Sequence, residues 1–369
     1  MEAWQKLVRE CENDAVKEAQ EKGVKLVGYI CLATPRELID AAGLFAYRIK
    51  ALGNFRTELA DAYLSRFNCG FCRSCLQLAL DGTYDFLDGI IETNGCDHLR
   101  GMFENWQYAH PSNFFHYLKV PHLVNEDSLG WFNEELVLMR DALQENYGCA
   151  IDESSLEAAI ALQKEIADKF REIYESRWND EIKVKGSEIL SLMVAEGSLP
   201  PHQFRNLLNE FDQELASREP LDYRARLFAG GSATDEVELI AELESLGGLV
   251  VADSFCFGGR VFREWEESGS PLERLASTYL KNLLCPRMFN DYPRRREFIL
   301  KMIESSRADG AIFFHNKFCD VHGIENVKLR LDLEKEGIPV LTLEKEYGAT
   351  ADIGRLKTRV QAFLERLRK

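Results

Sequence analysis

Ten cysteines stand in a chain of 369 residues, and several sit where ligands gather. Cys96 follows the apolar pair Ile90-Ile91, within Glu92-Thr93-Asn94-Gly95-Cys96-Asp97. Cys256 follows Val250-Val251-Ala252, and Cys319 follows Ile312-Phe313-Phe314. In open α/β sheets, ligands bind beyond the carboxyl ends of the strands. Three separate crossovers therefore aim thiols at one rim, which points to a shared thiophilic ligand. The densest group, Cys69-Gly70-Phe71-Cys72-Arg73-Ser74-Cys75, has the local spacing of ferredoxin-type clusters but lacks their final C-x3-C-P element. No second knuckle completes a compact zinc site. The alternative for Cys72 and Cys75 is a helix that packs them inside.

Polar residues flank these thiols. His98 stands near Cys96 and His322 near Cys319, but a Cys–His nucleophilic pair needs favourable helical geometry at such spacing. Asp97, His98, Asp320 and Glu92 are the candidate acids or bases; the same positions suit helix caps and hydrogen-bond partners of ligating groups. Walker A is absent, and Gly230-Gly231 and Gly258-Gly259 fall short of a phosphate loop, so any ATP chemistry belongs to another protein.

The elements that must position these residues alternate. Trp4, Leu7, Val8, Cys11 and Ala15 recur at helical spacing. Val24 to Cys31 reads as a buried strand, and Thr34-Pro35-Arg36-Glu37 as a capped helix start with Pro35 at the first helical position. Strands at 44–49, 86–92 and 114–118 alternate with helices ending near Gly43 and spanning 69–80 and 96–108. Helical periodicity dominates from Trp131 to Leu215, broken at Leu199-Pro200-Pro201. Alternation then returns, with strands at 224–229, 249–252, 311–315 and 339–343 and helices at 233–246, 294–307, 327–336 and 353–367. This rhythm predicts an α/β protein with two Rossmann-like parallel-sheet domains and a helical insert. The divisions are 1–125 (an α/β domain with a leading helix), 126–220 (the helical segment) and 221–369 (a second α/β domain).

A net charge of −16 argues against a nucleic-acid binder, which needs a basic face. No run of 18 apolar residues suggests a membrane span, and Met1 to Glu21 lacks the apolar core of a signal peptide. The expectation is a cytoplasmic protein without disulfides.

The residues quoted resemble the family of benzoyl-CoA reductase and 2-hydroxyacyl-CoA dehydratase subunits. The resemblance is carried by Gly28-Tyr29 through Gly43, by Arg73-Ser74-Cys75-Leu76 through Tyr84-Asp85-Phe86-Leu87-Asp88-Gly89, and by Cys96-Asp97. In the second half it is carried by Val250 through Cys256, Cys285-Pro286, Phe318-Cys319-Asp320, Gly337-Ile338-Pro339-Val340 and Thr358 through Phe363. It implies a 4Fe–4S cluster between the two α/β domains, held by Cys69, Cys96 and Cys319, with one iron position open to water or the thioester carbonyl. Cys72, Cys75, Cys256 and Cys285 are possible extra ligands, and a double-cubane cluster is the alternative. The resemblance further implies pairing with a homologous second subunit or a second copy, a separate ATP-hydrolysing iron–sulfur activator, and an acyl-CoA substrate. The compact Tyr84–Gly89 segment inclines the reading toward reduction of an aromatic acyl-CoA by low-potential single electrons. The alternatives are 2-hydroxyacyl-CoA dehydration through a ketyl radical, and an electron-transfer partner without its own substrate site. Arg294, Arg295 and Arg296 form a candidate basic run for coenzyme A, or a solvated helix start.

Overall fold

The computed structural model describes Leu7, residues 9–348 and residues 353–367; Trp4 and Val8 of the expected leading helix lie outside them. The helix found there, α1 (Asp14–Glu21), begins after Cys11, with the Asn13 side chain accepting from the Val16 N–H at 3.0 Å. The first half continues through β1 (Leu26–Tyr29), α2 (Arg36–Ala41), β2 (Phe45–Arg48), α3 (Gly70–Leu80), β3 (Gly89–Thr93), α4 (Asp97–Ala109) and β4 (Phe114–Leu118). The helical stretch holds α5 (Glu126–Tyr147), α6 (Glu153–Glu175), α7 (Gly186–Glu196) and α8 (Pro201–Ser217). The second half holds β5 (Ala225–Gly231), α9 (Val237–Glu244), β6 (Gly248–Asp253), α10 (Pro271–Lys281), α11 (Tyr292–Ser306), β7 (Gly310–Asn316), α12 (Asp320–Lys335), β8 (Val340–Lys345) and α13 (Ile353–Arg366).

Both sheets are parallel and share one strand order, β2-β1-β3-β4 and β6-β5-β7-β8. In each, the order reverses between the first strand and the third, and that switch point opens a crevice at the carboxyl edge. Every residue of β1, β3, β5 and β6 is buried, as parallel strands covered on both faces require. One apolar core runs through both sheets, joining Leu26 and Ile90 to Leu227 and Phe313. The middle helices are built into both halves: α6 packs on α2, α5 on β4 and α10, and α7 on α9 and β6. Among the described residues, no helix is long and apolar enough to cross a membrane.

The halves are also tied by buried polar bonds. The Asp235 carboxylate accepts from the N–H groups of Ala51 and Leu52, at 2.6 and 2.9 Å, and from the Tyr347 hydroxyl. The Tyr347 hydroxyl in turn accepts the Gly53 N–H at 2.9 Å, while within the second half Glu236 accepts from Lys345 and from the Gly348 N–H. These side chains explain why α9 starts at Val237 rather than Ala233: they serve the junction instead of the helix. The third strand likewise starts at Gly89, not Phe86. The Asp88 carboxylate takes the Leu26 N–H at 3.0 Å and the Asp88 N–H donates to the Leu26 carbonyl at 2.8 Å, fixing a turn there. The expected cap of α2 does not form. Its N-cap position is Pro35, without a side-chain cap bond, the Thr34 hydroxyl is buried without a partner, and Glu37 turns to the Tyr279 hydroxyl at 2.7 Å. Helix α10 was not foreseen, although Ser270, Pro271 and Glu273 form a capping box at its start, and α12 begins seven residues before the expected Val327, at Asp320.

Gly231, at φ +114°, ends β5 where a Cβ would enter the van der Waals shell of the Phe314 carbonyl oxygen. Gly231→Ala must therefore strain or displace backbone at the second switch point. Urea denaturation should show a loss of about 2–4 kcal/mol.

Candidate functional site

The carboxyl edges of the two sheets face a common cavity of about 130 Å³. Of the ten cysteines, seven line it: Cys31 after β1, Cys69 and Cys72 at the start of α3, Cys96 after β3, Cys256 after β6, Cys285 in the loop before α11, and Cys319 after β7. Cys75 does not join them; it is fully buried one turn further along α3, in the apolar core. Cys69, Cys96 and Cys319 each occupy the N-cap position of a helix, α3, α4 and α12. The positive end of a helix dipole favours an anion there and lowers a thiol's pKa.

The thiols touch in a chain. The Cys319 and Cys72 thiols beside Cys69 hold it well below the ordinary thiol range, and the Phe71 and Cys72 amides act in the same direction. The Cys72 thiol likewise lowers Cys96. Cys72 and Cys319 are raised in turn, because they keep the protons that their neighbours give up. Among the described residues, no group of three or more His, Cys, Asp or Glu side chains is arranged to hold a metal ion.

Four arginines share this wall, Arg48, Arg260, Arg263 and Arg287, and no Asp or Glu lines it. None of the four forms a carboxylate salt bridge among the described residues. Their partners are main-chain carbonyls: Ile30 for Arg48 (3.1 Å), Leu284 for Arg260 (3.2 Å), and Leu32 for Arg263 (2.9 Å). Arg287 reaches the carbonyls of Gly95, Val120 and Pro121 at 3.1, 2.8 and 2.9 Å, and so pins the loop that carries Cys96. Arg48 Nη2 and Arg260 Nε are buried without any partner. Arg48, Arg260 and Arg287 are buried and Arg263 is half-buried, and a buried cation is costly unless negative charge lies close by. Thiolates or another anion in the cavity relieve that cost, and Arg260 lies against the Cys285 and Cys256 thiols.

The flanking polar residues divide. His98 Nδ1 accepts the Cys69 N–H at 2.8 Å, which puts the ring proton on Nε2, 3.0 Å from the Asp320 carboxylate. This bridge joins the Cys69 and Cys319 loops across the two halves and positions both. Asp97 points to solvent near Arg100. His322 lines the cavity and is held neutral by burial and by the Arg260 charge. Phe318 adopts φ +65° just before Cys319, and its ring meets Phe67 edge-on at 5.4 Å over the rim. The Arg294–Arg296 run is not a free basic patch: its members pair with Asp291, Glu325 and Glu336 in order. Tyr84 is a core residue, its hydroxyl bonded to the Lys50 main chain. Sequence reasoning missed the arginines, although Arg260 and Arg287 each lie a few residues beyond a cavity cysteine.

A doubly wound pair of sheets whose carboxyl edges converge on cysteines defines a thiol-rich α/β protein with an anion-seeking cavity between its halves. The family described as "2-hydroxyglutaryl-CoA dehydratase, D-component" matches residues 31–367, and the chain belongs to it. It is 27% identical to the beta subunit of (R)-phenyllactyl-CoA dehydratase from Clostridium sporogenes, over 95% of this chain and 94% of the relative. It is 25% identical to a benzoyl-CoA reductase subunit from Thauera aromatica, over 87% and 85%. The corresponding figures for the beta subunit of (R)-2-hydroxyglutaryl-CoA dehydratase from Acidaminococcus fermentans are 23%, 94% and 93%.

Glu92 is the remaining candidate acid. It does not line the cavity; it lies buried at the end of β3 with one carboxyl oxygen unpartnered. Burial, with Glu104 nearby, pushes its pKa up to about 8. The folded state then binds more protons than the unfolded state between the ordinary carboxyl range and about pH 8, so stability falls as pH rises through that window. Glu92→Gln should therefore stabilise the protein at pH 9, by roughly 1 kcal/mol after discounting for solvent, and have no such effect at pH 4. Thermal unfolding at the two pH values checks this.

Proposed function

We propose that this chain is the cluster-bearing subunit of an oxygen-sensitive enzyme complex that acts on an acyl-CoA thioester by single-electron chemistry. Cys69, Cys96 and Cys319 would hold a 4Fe–4S cluster. The observation that carries this is the composition of the cavity wall: seven thiols and four guanidiniums without salt bridges, and no carboxylate. Soft thiolates suit iron–sulfur chemistry, and buried cations suit an anionic ligand set. The residues fit such a group in chemistry. Bound there, the cluster supplies low-potential electrons one at a time and a Lewis-acidic iron.

The chain's own residues do the rest. The arginines offset negative charge at the thiolates. Phe71, Phe257, Leu283 and Leu284 line the same wall and keep water away from it. Arg287 fixes the Cys96 loop, and His98 with Asp320 holds the Cys69 and Cys319 loops in register. Held by three thiolates, such a cluster would keep one iron position free for an oxygen ligand. Cys72, Cys256 and Cys285 line the same cavity and would be the candidate ligands of a larger, double-cubane cluster instead.

Two reactions share this apparatus. Dehydration of a 2-hydroxyacyl-CoA is favoured by the family's description and by the phenyllactyl and hydroxyglutaryl relatives. Reduction of an aromatic acyl-CoA has the benzoyl-CoA reductase relative and the apolar part of the wall in its favour. Electron stoichiometry separates them, since reduction consumes electrons and dehydration returns them. The relatives' names, which describe parts of larger enzymes, also support a homologous partner, and the lack of a Walker A motif supports a separate ATP-hydrolysing activator.

Anaerobic purification with iron and sulfide counting tests the reading. The protein should be brown and bleach in air, and Cys319→Ala should lose at least about three-quarters of its iron, since two thiolates hold a cluster poorly. Full iron content in that variant rejects Cys319 as a ligand. A colourless protein after reconstitution with iron and sulfide rejects the cluster altogether.

A further inference from the structure

Ser232 stands just outside the thiol cavity, where β5 ends and the second sheet reverses its strand order. It is 1% exposed and does not line the cavity, although its neighbour Ala233 does. Among the described residues, no Ser or Thr belongs to the cavity wall. The Ser232 hydroxyl nevertheless reaches a wall cysteine from outside the wall: it lies against the Cys319 thiol.

Main-chain bonds hold it there. The Ser232 N–H donates to the Phe314 carbonyl at 2.9 Å, which fixes the serine beside the end of β7. The Asn316 N–H donates to Ser232 Oγ at 3.0 Å, and the Asn316 carbonyl accepts the Cys319 N–H at 3.0 Å. Asn316 Nδ2 adds a bond to the Ala233 carbonyl at 2.9 Å. Asn316 thus ties the serine to the tight turn that presents Cys319, the turn in which Phe318 takes its positive φ. Because the serine oxygen accepts from Asn316, its hydroxyl hydrogen is the half left to donate. The neighbouring Cys69 thiol and burial raise the Cys319 thiol, and the Ser232 hydroxyl works in the opposite direction, toward the thiolate.

A hydrogen bond to a ligating sulfur favours the more negative, reduced state of an iron–sulfur cluster and so raises its potential. Burial strengthens such a bond, and at this depth water does not replace it. We propose that Ser232 is a positioning residue that sets the reduction potential of the cluster by donating its hydroxyl hydrogen to the Cys319 sulfur. The inference rests on the cluster reading above. It concerns electron affinity alone: one electron arrives from the reducing partner, no bond breaks, and the serine keeps its proton.

The test is a redox titration of the reconstituted full-length protein with low-potential reductants, followed anaerobically by electron paramagnetic resonance. Ser232→Ala should take up as much iron and sulfide as the wild type. It should shift the one-electron equilibrium about tenfold against the reduced state, which is about 59 mV toward more negative potential. Ser232→Thr restores the donor and should return most of that shift. Asn316→Ala removes the bond to Ala233 but keeps the hydroxyl, so its potential should stay with the wild type. Equal potentials in wild type and Ser232→Ala, an equal shift in Asn316→Ala, or no recovery in Ser232→Thr overturns the proposal and leaves the cluster reading intact. Should Ser232→Ala fail to load iron, Ser232→Gly takes its place. If neither loads, the hydroxyl serves assembly rather than potential, and the proposal falls. A wild-type protein that takes up no cluster overturns the cluster reading and this inference with it.

Discussion

Guanidinium groups in a protein interior need negative charge close by, and around the central cavity the protein offers them no carboxylate. Arg48, Arg260, Arg263 and Arg287 are held in place by carbonyl oxygens, which orient them but do not neutralise them. The groups of the same wall able to take a negative charge are its cysteines, while Glu325 and Glu37 act on Arg260 and Arg263 from outside it. The wall is thus stable only as a set: sulfur is drawn toward the thiolate by the arginines and by three helix starts, and the arginines are tolerated because sulfur can ionise. That mutual dependence favours the thiolate form at Cys69 and Cys96.

The two sheets supply the geometry for this electrostatics. Each has the same reversal of strand order, and each places a cysteine directly after the strand on the far side of that reversal, Cys96 after β3 and Cys319 after β7. The helical middle segment packs against both halves, and Asp235 and Tyr347 join them by accepting the N–H groups of Ala51, Leu52 and Gly53. Rigid closure keeps the wall's sulfurs within reach of each other although they come from distant parts of the chain.

Much of this was legible in the sequence. Parallel strands buried on both faces appear as short apolar runs, so β1, β4, β6 and β7 could be placed, and with them the thiols that follow strands. The N-terminal cysteine run could be placed but not resolved. Helical periodicity puts Cys72 and Cys75 on one helix, and only the packing of α3 sends one to the cavity and the other to the core. The arginines were illegible because arginine normally marks a surface, and their burial depends on partners far away in sequence, as when Arg287 finds the carbonyls of Val120 and Pro121. Thr34 and Glu37 misled for a related reason. Local chemistry makes them a helix cap, but the fold commits Glu37 to Tyr279 and leaves the Thr34 hydroxyl buried without a partner. Failures of a local rule thus fall beside the site, where local and global demands conflict.

The shared strand order has a further consequence. A molecule lying between the sheets meets nearly equivalent scaffolding from either side, as if related by a dyad, yet the decoration is unequal. Where β1 is followed by Cys31, its counterpart β5 is followed by Ser232 and Ala233; where β2 ends in Arg48, β6 leads into Cys256 and Arg260. Twofold architecture with broken chemical symmetry gives the bound molecule a head and a tail, so its orientation is dictated by side chains while its location is dictated by backbone.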